Sequence, residues 1–472
     1  MDATRQLAEF THDLNVANLS DATVEAAGRM ALDTVGAAIA AWNAPGVREL
    51  RAILSQWGEG PSRVWIGGER LSPPAATLVN SSMAHALEYD DLHCDLPIHS
   101  GVVMVPAVLA VAEARPDITG ADVAAALIAG TEVVCRLARA TNSYFGDAGF
   151  RGWNPSSVVA GFGTAAAAAR LLGLDVDGIE RAMGLSYAQA SGNQQCIEDG
   201  GLVKRMQPAM VAEAGVRAAW LAEAGVTGAI NAIEGKNGFF AVYESGDYNA
   251  AKLTAGLGER FEIDDVGFKR YPICGMSHPA VDAMRELMTE HGFGPADVET
   301  IAVYGSKFVK DMVGRPYRPG KNSDVDAQFN LSYCIAAVLL TGNIRLADLK
   351  PEHTLSAERR AWAERIPIHL EEGLKGKWTA RVEVKLKSGP LLTRTRSKAG
   401  GQSDAPLSTE ELIAKFEDAN AAGGSGLSTA DVRRLCDLLI DLPRLPSLRP
   451  ICDALVPGDA RGATGDKLRR AG

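Results

Sequence analysis

Several features that mark particular classes of protein are missing from this 472-residue sequence. The seven cysteines are spread over the chain without a C-x-x-C pair, which disfavours disulfides, zinc ribbons and iron–sulfur clusters. The longest apolar stretch, residues 102–112, is shorter than the about 20 residues that span a bilayer. No secretory or transit segment is recognisable at the N-terminus, so we expect a cytoplasmic protein without a membrane span.

An excess of positive charge and the common phosphate-binding motifs are also missing. The 48 Lys and Arg residues against 58 Asp and Glu leave a net charge of -10, which repels phosphate backbones and makes nucleic acid an unexpected partner. Neither G-x-x-x-x-G-K-[ST] nor G-x-S-x-G occurs, so nucleotide chemistry and a serine-hydrolase elbow have no support. The hydrophobic share of 46% is that of an ordinary globular protein.

The first half of the chain carries Ala-rich patterns typical of helices. After Asp21, read as an N-cap, apolar residues recur at a three-to-four spacing, and Ser72 with two prolines opens another helix. Further helices are predicted over residues 102–114, 121–138, 156–172 and 208–224. The many small residues on these helices favour close helix packing, and we therefore predict a large all-helical domain.

From about Phe268 onwards, helical patterns alternate with short runs of β-type residues. Helices are predicted over residues 277–290, 326–340 and 356–364, and strands over 299–304, 366–370, 380–384 and 391–395. The sequence thus predicts a mainly α protein with a smaller α+β domain. Its predicted parts are a discontinuous helical domain, residues 1–266 with 403–457, an α+β domain, residues 267–402, and a loose tail, residues 458–472.

Histidines and carboxylates cluster in one 15-residue window, which contains His85, Glu88, Asp90, Asp91, His93, Asp95 and His99. If the helix begun at Ser72 continued to Tyr89, His85 and Glu88 would share one face. A carboxylate beside an imidazole fixes its tautomer and raises its basicity, as proton transfer requires. The alternatives are a solvated helix end and a divalent metal site. No H-x-x-x-H or H-x-H spacing supports the latter, so we predict no metal site.

Two further features point to anion chemistry. His99 and His278 each lie where a loop gives way to an apolar helix, and a helix N-terminus attracts carboxylates and keeps a nearby imidazole neutral. Cationic loops contain Lys204-Arg205, Lys269-Arg270, and Arg315 with Arg318 and Lys321. Each loop alone is typical of a solvated surface, whereas three such loops in an acidic protein favour a multiply charged acidic substrate.

A set of motifs then occurs in a fixed order over more than half of the chain. They are residues 85–91 (HALEYDD), 99–101 (HSG), 151–155 (RGWNP), 162–167, 170–174, 204–205 (KR), 234–239, 269–272 (KRYP), 277–280 (SHPA) and 326–329 (DAQF). In this order they resemble the MmgE/PrpD superfamily of 2-methylcitrate dehydratases and cis-aconitate decarboxylases. The resemblance implies a helical domain, an α+β lid domain and a homodimer. It also implies cofactor-free chemistry on small di- or tricarboxylates, in a site between the two domains.

The resemblance also assigns candidate residues. His99, Lys204 and His278 stand at the family's active-site positions, Glu88 stands where the family usually has Asp, and Asp91 is the motif's second acidic residue. These five are the predicted catalytic residues. The predicted substrate-binding residues are His85, Asn154, Arg205, Gln207 and Lys269.

Three positions depart from the family pattern: Leu92 replaces a hydroxyl residue, and Asn154 and Gln207 each replace a histidine. These departures disfavour 2-methylcitrate itself as the substrate. Within the reaction class, the sequence favours a hydratase or dehydratase. An iminodicarboxylate epimerase and a decarboxylase of the cis-aconitate type remain alternatives. A helical binding protein that has lost turnover is the alternative outside enzymes.

Overall fold

The computed structural model describes residues 2–142, 152–374, 376, 378–402 and 405–458. Helices dominate these residues, which confirms the mainly α prediction. The part before residue 267 contains the α-helices Ala3–Asp13, Asp21–Ala40, Val47–Leu54, Pro73–His85, Gly101–Ala114, Gly120–Ala140, Pro155–Leu171, Val176–Tyr187, Gln195–Glu198, Gln207–Glu223, Phe239–Tyr243 and Ala251–Thr254. Of the predicted loose tail, only Gly458 is among the described residues.

Small residues let these helices approach closely, as the sequence predicted. A Cβ atom added to Gly163 would lie 2.5 Å from the carbonyl oxygen of Gly130. The helices Gly120–Ala140 and Pro155–Leu171 therefore touch backbone to backbone at these glycines. Nearly every residue of the helix Gly101–Ala114 is buried, because neighbouring helices cover it on all sides. This central helix starts only two residues after His99, so the packed bundle fixes the position of that imidazole.

The part after residue 267 combines helices with a four-stranded sheet. Its strands lie in the order Ile368–Leu370, Val298–Gly305, Ala380–Leu386 and Leu391–Arg396, with the first pair parallel and the others antiparallel. The α-helices here are His278–His291, Lys307–Val313, Ser323–Gln328, Leu331–Thr341, Pro351–Thr354, Ala357–Glu364, Thr409–Gly423, Thr429–Ile440 and Arg449–Ala454. No helix among the described residues is long and apolar enough to cross a membrane.

Two element predictions need correction. The single helix predicted over residues 326–340 is two helices, because Asn330 caps the second one and accepts a hydrogen bond from the Tyr333 N–H. The N-cap of the helix Asp21–Ala40 is Ser20, whose side chain accepts from the Thr23 N–H, and Asp21 is its first residue. The capping box of Ser408 and Glu411 is present as the sequence indicated.

Buried apolar side chains form two separate clusters. One joins residues 3–268 to the C-terminal helices of residues 407–455, and the other lies within residues 271–386, with Cys196 and Ile197 added. A short antiparallel ladder, Asp91–His93 against Val266–Phe268, lies where the clusters meet. The predicted domain boundaries, 1–266 with 403–457 and 267–402, and a lid function for the α+β part remain predictions.

Candidate active site

A cavity of about 620 Å³, counted to its open mouth, lies between the two apolar clusters. Residues from many distant segments line it. They are His85, Glu88, Leu92, Pro97, His99, Asn154, Pro155, Ser156, Gln194, Ile197, Lys204, Cys274, Gly275, Met276, Met312, Phe329 and Trp378. Four predicted site residues besides His99 therefore share one chamber with it: His85, Glu88, Asn154 and Lys204.

Glu88 occupies a strained turn at the base of the cavity. The helix Pro73–His85 ends four residues before Tyr89, so Glu88 and His85 do not share a helix face as the sequence predicted. The reason is local, since the Ala86 N–H bonds to Met83 in a tightened last turn and Glu88 then takes a left-handed φ of 52°. This conformation costs a non-glycine residue about 1–3 kcal/mol and is kept where the surroundings hold it.

Two ammonium groups hold Glu88 in place. Lys204 donates a short hydrogen bond to Glu88 Oε1, and Lys269 Nζ lies 3.0 Å from Oε2. All three side chains are buried. Burial, reinforced by the positive charge of Lys269, lowers the pKa of Lys204 well below its usual value. Lys204 is thus a proton donor that gives up its proton more readily than an exposed lysine.

His85 is held as a neutral imidazole between Lys204 and Asp90. Its Nε2 lies 2.9 Å from Lys204 Nζ, and its Nδ1 lies 3.0 Å from Asp90 Oδ2. Because an ammonium can only donate, Nε2 is the acceptor and the imidazole proton sits on Nδ1. Burial and the charge of Lys204 lower the pKa of His85 to about 3.

His99 presents a free ring nitrogen to the cavity. Its Nδ1 lies 2.7 Å from the carbonyl oxygen of Asp91 and 2.7 Å from Asp90 Oδ2, and both partners can only accept. The proton of a neutral His99 therefore sits on Nδ1, which leaves the Nε2 lone pair for the cavity. Its side chain is 15% exposed, and its ring centroid lies 4.9 Å from that of His85.

Asp90 joins the two imidazoles, although it was not among the predicted site residues. It is fully buried; its Oδ2 accepts from His85 Nδ1 at 3.0 Å and lies 2.7 Å from His99 Nδ1, whose hydrogen bond goes to the Asp91 carbonyl oxygen. Burial disfavours its charge, but Lys269, His85 and His99 outweigh burial and hold the pKa of Asp90 well below its usual value. An anion that orients two imidazoles behind a cavity is typical of a proton-transfer site.

Family models and curated relatives match most of the chain. The MmgE/PrpD N-terminal domain matches residues 5–251, and the MmgE/PrpD C-terminal domain matches residues 271–441. The chain belongs to the MmgE/PrpD family. It is 27% identical to a cis-aconitate decarboxylase of Aspergillus terreus, covering 96% of this chain and 95% of the relative. It is 28% identical to the human cis-aconitate decarboxylase, covering 89% of this chain and 88% of the relative. Membership of this family identifies the chain as an enzyme, a lyase or a related isomerase.

Two of the family's predicted catalytic positions lie outside the cavity. The Asp91 carboxylate accepts from the Ser100 hydroxyl at 3.1 Å and from the Gly101 N–H at 2.8 Å, at the start of the helix Gly101–Ala114. Burial and Asp90 raise its pKa. His278 lies in a smaller neighbouring cavity, where its Nε2 is 3.3 Å from the Ile273 carbonyl oxygen and burial lowers its pKa to about 3. The structure thus does not bring His278 and His99 into one chamber.

Three predicted substrate-binding residues also lie behind the cavity wall. Arg205 bonds to the Pro45 carbonyl oxygen at 2.8 Å and to Asp324 at 3.2 Å. Gln207 bonds to both backbone groups of Asn193, next to the cavity residue Gln194. Lys269 reaches Glu88 but not the cavity. These three side chains therefore form hydrogen bonds with protein groups around the site and do not line the cavity.

The cavity also contains residues that the sequence did not single out for function, namely Ser156, Gln194, Met276, Met312, Phe329 and Trp378. Phe329 ends the motif DAQF, whereas Met276, Met312 and Trp378 are apolar residues outside the motifs, so only the tertiary structure reveals their place. Ser156 follows the motif residue Asn154 and accepts the His99 N–H at 3.2 Å. The motif RGWNP, which ends directly before Ser156, was the one sequence signal that pointed to Ser156.

Two groups of described residues have ligand atoms close enough for a metal ion: His85 with Asp90 and His99, and His93 with Glu262 and Asp265. In the first, His85 Nδ1 donates to Asp90 Oδ2, His99 Nδ1 donates to the Asp91 carbonyl oxygen, and Lys269 Nζ lies 3.8 Å from Asp90 Oδ1. In the second, His93 Nδ1 accepts from the N–H groups of Asp95 and Leu96. Hydrogen-bonded nitrogens and adjacent ammonium groups favour polar networks over cation sites.

Proposed function

We propose that this protein is a cofactor-independent lyase. It removes a proton from a carbon next to a carboxylate of a small di- or tricarboxylate and eliminates water. The observation that carries this proposal is the arrangement of His99, whose Nδ1 is engaged by two acceptors while Nε2 is free towards the cavity. A neutral imidazole fixed in that tautomer is a general base.

The cavity supports carboxylate binding at its helix end. Asn154, Pro155 and Ser156 line it at the start of the 17-residue helix Pro155–Leu171, so the positive end of the helix dipole faces the substrate. The Asn154 side chain makes no capping hydrogen bond within the helix, which leaves its amide for a ligand. A substrate carboxylate held here lies beside His99.

Lys204 supplies the positive charge and the acid. Removal of the substrate proton by His99 Nε2 places negative charge on the neighbouring carboxylate, and the Lys204 ammonium stabilises it. The electron pair then forms the carbon–carbon double bond as the carbon–oxygen bond breaks. The departing hydroxide takes a proton from Lys204 and leaves as water. The lowered pKa of Lys204 favours this transfer.

Decarboxylation is the second candidate, because the curated relatives that span nearly the whole chain are cis-aconitate decarboxylases. In that reaction the bond to a carboxylate breaks, carbon dioxide leaves, and the electron pair passes to a carbon that Lys204 or a protonated His99 protonates. The same side chains serve both reactions. The substrate decides whether a hydroxyl or a carboxylate departs.

The test is a proton NMR time course of the purified protein with a panel of hydroxy and unsaturated di- and tricarboxylates in deuterium oxide. A new vinylic signal without gas release indicates dehydration, whereas carbon dioxide release indicates decarboxylation. We expect His99→Gln to lower kcat by at least about 100-fold, because one positioned base contributes 10²–10⁴-fold. His12→Gln is the matched control, since the His12 side chain is exposed and bonds to Asp13. Solvent deuterium exchange without net conversion, or equal activity of both variants, would contradict the proposal.

A further inference from the structure

Leu92 stands between two cavities. It belongs to the strand Asp91–His93, which pairs with Val266–Phe268, and its side chain packs against the apolar cluster of residues 271–386. The fit against Gly275 is tight, since a Cβ added there would lie 2.3 Å from Leu92 Cδ2. Both Leu92 and Gly275 line the candidate active site and also the smaller cavity that contains His278.

The position of Leu92 bears on which charged side chains line the candidate active site. Lys269 and His278 line the smaller cavity and are not among the lining residues of the candidate active site. Among the described lining residues of the candidate active site, Lys204 is the only lysine or arginine, and it is already paired with Glu88. In this cavity, a substrate with several carboxylates can therefore interact with one ammonium group, which is also bonded to Glu88, and with one helix N-terminus.

Part of the lining of the chamber is apolar. Besides Leu92 itself, its walls include Met276, Met312, Phe329 and Trp378. Burying a carboxylate against such a surface without a partner carries a large desolvation cost, whereas an alkyl group gains from the same contact.

From this wall, and resting on the proposed function, we infer that Leu92 makes the site selective for a dicarboxylate. The preferred acid carries an apolar group where a tricarboxylate carries its third carboxylate. The core common to both is a 2-hydroxysuccinate unit, or its unsaturated counterpart, which His99, Lys204 and the start of the helix Pro155–Leu171 engage. The variable substituent points at Leu92.

Citrate and 2-isopropylmalate test this inference, because both are 2-hydroxysuccinates of similar size that differ at one substituent, carboxymethyl in citrate and isopropyl in the other. Dissociation constants are measured by calorimetry for the wild type, Leu92→Thr and Leu92→Met. We expect the wild type to bind 2-isopropylmalate about 100-fold more tightly than citrate, since an unpaired buried charge is strongly rejected. Leu92→Thr opens the chamber towards Lys269 and His278 and should reduce that ratio about tenfold.

Leu92→Met is the matched control, because it keeps an apolar side chain of similar volume and should keep the preference. Thermal unfolding of the three proteins shows whether each is folded before binding is compared. The inference is overturned if the wild type binds citrate as tightly as 2-isopropylmalate, if it binds neither acid, or if both variants change the ratio equally. Since binding is the readout, a wild type that shows the preference but converts no acid contradicts only the proposed reaction.

Discussion

Asp90 is the residue on which the geometry of the candidate site depends most. Its Oδ2 accepts from His85 Nδ1 and lies 2.7 Å from His99 Nδ1, so a single buried anion lies beside both rings. Its other oxygen has Lys269 Nζ at 3.8 Å. In the proposed mechanism the base His99 is therefore held beside an anion that does not line the cavity.

The Asp90→Asn variant tests this role. An asparagine removes the buried negative charge that lies 2.7 Å from His99 Nδ1, so the positive charge that forms on His99 when it takes up the substrate proton is no longer stabilised. We expect kcat to fall by about 100-fold or more with little change in KM, as measured by steady-state kinetics on an accepted substrate. Asp95→Asn, at an exposed position of the same segment, is the control. A rise in KM at constant kcat would assign Asp90 to substrate binding instead.

At the scale of elements, the C-terminal helix Thr409–Gly423 supports the loop that carries the site. Its Lys415 is buried, with Nζ 2.6 Å from Asp33 Oδ1 and 2.6 Å from the Tyr89 carbonyl oxygen. Tyr89 lies between Glu88 and Asp90 in the chain. Burial raises the pKa of Asp33 to about 7 even beside this ammonium. A segment more than 300 residues away in sequence thus bonds to the backbone of the turn that carries Glu88.

Replacing Lys415 should therefore lower the free energy of unfolding and also disturb the geometry of the site. Lys415→Met leaves Asp33 buried without its partner, and we expect the free energy of unfolding in urea to fall by about 3–5 kcal/mol. The double variant Asp33→Leu/Lys415→Met removes both charges and should recover most of that loss. Equal destabilisation of the single and double variants would mean that packing of the lysine stem, and not the ion pair, stabilises this junction.

At the scale of the whole molecule, buried neutral histidines make stability depend on pH. The pKa of His278 is lowered to about 3, whereas an unfolded histidine has a pKa near 6.5. As pH falls below about 6.5, the unfolded chain binds a proton that the folded chain does not, and the folded state loses stability. The loss of stability that His278 causes is absent above that pH, grows as pH falls below it and is complete near pH 3.

Comparison of the wild type with His278→Gln isolates this effect. Between pH 7.5 and 5.5 the histidine should cost the wild type about 1.4 kcal/mol of unfolding free energy that the glutamine variant does not lose. Asp33, whose raised pKa acts in the opposite direction, is present in both proteins and cancels in the difference. Urea unfolding of both proteins at pH 7.5 and 5.5 measures this difference in unfolding free energy. Parallel losses in the two proteins would show that His278 is not a buried neutral group.

The homodimer, the cytoplasmic location and the absence of a cofactor remain predictions from sequence, as do the domain boundaries. The family and the mainly α fold are confirmed. Of the ten predicted site residues, the structure gathers His85, Glu88, His99, Asn154 and Lys204 around one cavity and places the others behind its walls. A catalytic or substrate-binding role stays a prediction for all ten.

What the sequence by itself determined was local. Helix patterns depend on residues three or four apart and on caps such as Ser408, so they are readable within a short window, and ordered motifs are sufficient to recognise the family. The tertiary structure alone decided that Asp90 lies beside both imidazoles and that Leu92 lines both the cavity of His99 and that of His278. The physical reason is that the surroundings of a side chain depend on packing between segments far apart in the chain, which local periodicity does not encode.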